Sequence, residues 1–88
     1  MINKVYKVID AEGSYCLIIQ TEGDDDFWWW EFNKGYVDEY FSEKGIEFDI
    51  AKAEVFANDL DNNLIGCSTA SFSSVEEAEE DYRREIQI

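Results

Sequence analysis

The chain contains no histidine. That removes the commonest general base, the usual activator of a Ser or Cys nucleophile and the main nitrogen ligand for metals. An enzyme is therefore not expected. A carboxylate pair could still do acid–base work, as in glycosidases, but such sites lie in deep clefts that an 88-residue domain is too short to build. Proline is absent too, which fits regular elements joined by short turns; linkers and low-complexity tracts are missing. Bases are scarce, with seven Lys and Arg against 21 Asp and Glu and a net charge of -14. Direct binding to DNA, RNA or an anionic membrane is disfavoured, because each phosphate contact needs a cation. A basic partner suits this charge. No apolar run reaches eighteen residues and no basic segment leads into an apolar one, so neither a membrane span nor a signal peptide is expected, and the default location is cytoplasmic. The two cysteines, Cys16 and Cys67, lie in apolar strand-like runs, where free thiols acting as small buried hydrophobes are favoured over a disulfide.

What is present argues for order. Hydrophobic residues make up 45% of the chain and aromatics 16%, enough to build a core in spite of the charge. Residues 1–88 read as a single compact acidic domain. Ten acids stand against four bases before residue 45 and eleven against three from there on, so the acidity belongs to the whole domain and not to a tail.

Residues 24–44, DDDFWWWEFNKGYVDEYFSEK, carry more than half of the aromatics. Taken as a helix, the stretch has caps in Asp24, Asp25 and Asp26, a stop in Lys44-Gly45-Ile46, and one broad apolar face in Trp29, Trp30, Phe32, Tyr36, Val37, Tyr40 and Phe41. On this reading Trp29, Tyr36 and Tyr40 are core anchors, with Trp28 on the fringe. The alternative breaks the helix at Asn33-Lys34-Gly35 and makes Phe27 to Phe32 a strand, which bulky aromatics tolerate; Gly inside a helix costs about 1 kcal/mol against Ala.

Around this stretch, residues 4–10 and 15–21, KVYKVID and YCLIIQT, read as a hairpin across Ala-Glu-Gly-Ser. Residue run 15–21 is apolar almost without alternation, so it is central, covered by helix on one side and partly on the other. Residues 47–58 alternate as a long strand with a bulge near Ala51, and residues 64–72 return after the turn formers of 59–63. Ser73 and Ser74 followed by Glu76 and Glu77 form a capping box that opens a final helix to about Arg84, with Val75, Ala78, Tyr82 and Ile86 inward. The expected fold is α+β in the order ββαββα, a four-stranded antiparallel sheet with both helices packed on one face.

Asp59, Asp61 and Asn63 match the first three ligand positions of a calcium loop. Leu64 stands where its glycine belongs and Ala70 where its bidentate glutamate belongs, so a plain turn is the better reading and neither metal nor cofactor is expected. Glu22 and the three aspartates after it could also collect a cation, with no spacing rule behind them.

The remaining carboxylates are more informative. On the last helix Glu77, Asp81 and Glu85 form one i, i+4 row, Glu76 and Glu80 a second, and Glu79 lies apart. Unmixed rows of like charge weaken a helix by a few tenths of a kcal/mol per pair. Repeating about every 5 to 6 Å, they approximate the charge line of a nucleic-acid strand, with one charge per roughly 3.4 Å. Asp24, Asp25, Asp26, Glu31, Asp38 and Glu39 add a second band. With its short domain, its charge and the run EEAEED at residues 76–81, the chain resembles, in class and not in any motif, the small acidic phage and mobile-element proteins that mimic nucleic acid, including anti-CRISPR and anti-restriction inhibitors. The resemblance implies an inhibitor that fills the basic groove of a nucleic-acid-handling protein. A second expectation, from a different class, is a non-catalytic assembly domain that self-associates through exposed aromatic surface at Phe27 and Trp28. A monomer or a homodimer is compatible with the sequence.

Overall fold

In the computed structural model, which describes residues 3–42, 53–54 and 64–86, the expected hairpin forms from β1 (Asn3–Ala11) and β2 (Ser14–Thr21). The strands are antiparallel, and the register from Asn3↔Thr21 to Ala11↔Ser14 leaves a two-residue turn, Glu12-Gly13. Gly13 has φ +80, a left-handed conformation that glycine adopts without steric cost. Tyr6 is the extra residue of a bulge, so Val5 and Val8 share one face of the sheet.

The aromatic stretch is not one helix. Trp28–Asn33 is a strand, β3, paired antiparallel with β2, and Lys34–Ser42 is a helix, α1. The alternative break at Asn33 is therefore the observed one. Its cause is tertiary: β2 offers a free edge of unbroken apolar residues, and Trp and Phe pack well on a pleated surface. Asn33 stands at the start of α1 with Oδ1 folded over the first turn, where a Cβ on Gly35 would lie 3.2 Å away. The side chains of Tyr36, Tyr40 and Phe41 and the stop at residues 44–46 lie outside the described residues.

Leu64–Cys67 forms β4, antiparallel to β3, giving the order β1-β2-β3-β4. Ser68 prolongs this pairing, donating its N–H to the Trp29 carbonyl at 2.9 Å and accepting the Trp29 N–H on Oγ at 3.2 Å. An isolated bridge between Phe27 and Phe72 follows. Val75–Ile86 is the last helix, α2. Ser74 Oγ accepts the Glu77 N–H at 3.1 Å, and the Glu77 carboxylate reaches back to the Ser73 hydroxyl at 2.8 Å, so the predicted cap is formed. Among the described residues the order is thus βββαβα. Within the expected strand over 47–58, Ala53 and Glu54 are helical; the rest of that run with the bulge near Ala51, the turn over 59–63 and the calcium-like Asp59, Asp61 and Asn63 lie outside the described residues.

The two helices do not share one face. Leu17, Ile19 and Phe32 pack with Val37 of α1 and Ala53 on one side of the sheet. Cys16, Ile18 and Trp29 pack with Ala78 and Tyr82 of α2 on the other, so both faces are covered. The continuous apolar run of β2 demands this, because Cys16 to Ile19 point alternately to both sides and are all buried. Burying each of the three aliphatic side chains contributes about 1.5–3 kcal/mol, which a single covered face would half forgo. Both cysteines are free thiols, with Cys16 buried, but Cys67 is exposed and not the buried hydrophobe expected. Burial pushes the Cys16 thiol pKa up, aided by the nearby Glu31 and Glu79 carboxylates.

Candidate functional site

The acidic residues divide into those that hold the fold together and those left facing outward. Glu79 belongs to the first group. Its carboxylate accepts from Lys7 Nζ of β1 and, at 2.7 Å, from Arg83 of its own helix. These two partners, Lys7 first, hold its pKa below the usual carboxylate value. The bulge at Tyr6 makes the reach possible, since Tyr6 and Lys7 both serve the α2 side, Tyr6 by an edge-on contact with Phe27 at 5.2 Å. Asp81 Oδ2 accepts the Trp29 indole N–H at 2.8 Å. Glu31 faces α2 from β3 and accepts the hydroxyl of fully buried Tyr82 at 2.7 Å; burial, then this bond, raises the Tyr82 pKa. Glu77 is occupied in the cap.

On the opposite face, Asp38 of α1 accepts the Tyr15 hydroxyl at 3.0 Å. Burial, then this bond, raises the Tyr15 pKa. Glu39 is exposed on the same helix. The start of α1 is pinned to the first hairpin, with Lys34 Nζ 2.7 Å from Asp10 and the Lys34 N–H donating to Gly13 at 3.1 Å. The two predicted acidic bands are therefore not one surface, because the sheet separates Asp38 and Glu39 from α2.

What the structure does bring together is the acidic loop and the segment at Ser71 and Phe72 that leads into α2. Phe27 and Phe72 exchange both backbone hydrogen bonds at 2.8 Å, and Asp26 Oδ2 accepts the Ser71 hydroxyl at 2.9 Å. Asp24 braces the loop by accepting the Asp26 N–H at 3.0 Å. Asp24 and Asp25 are exposed on the loop, and Glu76 and Glu80 on α2, with Glu80 3.4 Å from Arg84. Asp25 and Glu76 make no hydrogen bond or ion pair with any described residue. Trp28 is half-buried against the α1-side core and Phe27 against the α2-side core, so neither presents an open aromatic surface.

The cations among the described residues are engaged within the chain. Among the described residues Lys7, Lys34, Arg83 and Arg84 each pair with an acid of this chain, and Lys4 Nζ sits 5.2 Å from the centre of the Tyr6 ring. Lys4 also lines a small groove with Glu22, Gly23 and Asp24 of the acidic loop. The joining of this loop to α2 through Phe27 and Phe72 could not be read from the sequence, since nothing local links residues so far apart; Ser71 carries no motif. Among the described residues no group of three or more His, Cys, Asp or Glu could hold a metal ion, and no helix is long and apolar enough to cross a membrane. No protein-family model, curated protein or solved structure matches the chain.

Proposed function

We propose that the protein is an acidic inhibitor that binds the basic groove of a nucleic-acid-handling protein in place of nucleic acid, in the manner of anti-CRISPR and anti-restriction mimics. The observation that carries this reading is that Asp25 of the loop and Glu76 at the start of α2, on segments joined by the Phe27–Phe72 backbone bonds and the Asp26–Ser71 bond, are both exposed and make no hydrogen bond or ion pair with a described residue. A fixed edge of this kind attracts a cationic surface and loses little freedom on binding it. The footprint is narrower than the rows of carboxylates suggest, because Glu77, Glu79 and Asp81 are engaged within the fold.

The test is capture of a basic protein from a host lysate at low salt, its identification, and competition against its nucleic acid. The triple change Asp25→Asn, Glu76→Gln and Glu80→Gln keeps side-chain size and touches none of the ties between α2 and the sheet. We expect unchanged circular dichroism, roughly tenfold weaker binding and a flatter salt dependence. Equal inhibition by parent and variant at every salt concentration would refute the reading.

A further inference from the structure

We propose that Glu54 guards the outer edge of the sheet and keeps β1 from pairing with the β1 of a second copy of the chain. Among the described residues β1 is the outermost strand at one side of the order β1-β2-β3-β4. It runs for nine residues, against four in β4 at the other side. An outer strand of that length offers a row of backbone donors and acceptors to a further strand, and two-fold pairing with itself needs only one kind of chain. The proposal is independent of the binding of a basic surface.

The register decides which groups of β1 face outward. Ala11 and Ser14 close a two-residue turn as a bonded pair, so Ile9 turns its N–H towards β2 while Val8 and Asp10 turn theirs away. Tyr6, the extra residue of the bulge, moves this count by one, and Val5 therefore points its N–H outward and not at β2. Glu54 Oε1 accepts that N–H at 3.1 Å. An added strand would have to set a carbonyl oxygen in the same place. The carboxylate is also anchored, because Ala53 beside it is fully buried in the same apolar cluster as Val5. A second strand would thus have to displace a charged acceptor, which binds an N–H more strongly than the neutral carbonyl offered in exchange.

Sedimentation velocity over a range of concentrations tests this, in about 1 M salt so that repulsion between the acidic chains is screened to about 3 Å. Glu54→Ala should dimerise at concentrations about tenfold below any at which the parent associates, the scale of one hydrogen bond lost from the competing state. Glu54→Gln keeps an acceptor oxygen at the same reach and should behave as the parent. Glu54→Asp keeps the charge but falls short of the Val5 N–H, so it should dimerise as the Ala variant does, and it decides the matter if the Ala variant does not fold. Nuclear Overhauser effects between labelled and unlabelled copies of the dimerising variant should lie along β1. Ala and Asp variants as monomeric as the parent overturn the proposal. So do a Gln variant that dimerises as readily as the Ala variant, a dimer whose contacts lie on β4 or α2, and a parent already paired through β1.

Discussion

Tyr82 presents its hydroxyl to Glu31 from a ring with no exposure at all. Changing Tyr82 to Phe keeps the ring and removes the donor, leaving a half-buried carboxylate one partner short. The expected loss is about 1–3 kcal/mol, measured as a lower denaturant midpoint with an unchanged slope. Gly13 offers the opposite case. A Cβ there would meet no atom within 4 Å, so the cost of Gly13→Ala is pure backbone strain at positive φ, about 1–2 kcal/mol; an equally stable variant would show that the hairpin turn relaxes. Of the side chains anticipated as core anchors, Trp29 is buried, 7% exposed. It was legible because a large indole in an aromatic run has nowhere better to go than the core. The roles of Glu79 and Asp81 were not legible, since their partners Lys7 and Trp29 lie on strands whose place under α2 no local pattern encodes.

At the scale of elements, the hairpin and α2 carried their signals within themselves. β-branched runs around a Gly turn define β1 and β2, and two serines before two glutamates define the start of α2. The stretch over 27–42 did not, because four consecutive aromatics satisfy a period of 2 and a period of 3.6 alike. Gly35 gave the usable hint, tolerated in a first turn but costly within a long helix. α2 itself leans on polar ties as much as on its apolar seam of Ala78 and Tyr82. Glu79 has a folded-state pKa below its ordinary 4.5, so its contribution is fully present above that value and is lost as pH falls from there through the depressed folded value. The Glu79→Gln variant should therefore be less stable than the parent at neutral pH and converge on it in acid below about pH 4.5. Thermal melts across that range check this; a constant gap would assign the effect to packing. Ser74→Ala should cost about 1 kcal/mol through loss of the cap.

For the whole molecule, charge is the dominant long-range term. A net charge of -14 on 88 residues makes the folded state repel itself. Salt screens this over about 8 Å at physiological strength, and it also weakens the few exposed ion pairs, which contribute only about 0–1 kcal/mol each. Repulsion outweighs them, so the denaturant midpoint should rise as salt is added; a falling midpoint would show that the ties of Lys7 and Arg83 to Glu79 prevail. The coarse α+β class was legible from the alternation of strand and helix signals, whereas the placement of helices on both faces followed only from β2 being buried on both sides. The three-strand meander bears on how the chain reaches this state. β1, β2 and β3 pair with near neighbours in sequence, Asn3 with Thr21 and Ser14 with Asn33, whereas Phe27 must find Phe72 across a span of chain that includes β3, α1 and β4. Loop closure of that span is entropically the later event. Substitutions in β2 are thus expected to slow folding, and substitutions in α2 chiefly to speed unfolding, when both are read from chevron plots. A nascent chain would build its sheet first and add its acidic edge last.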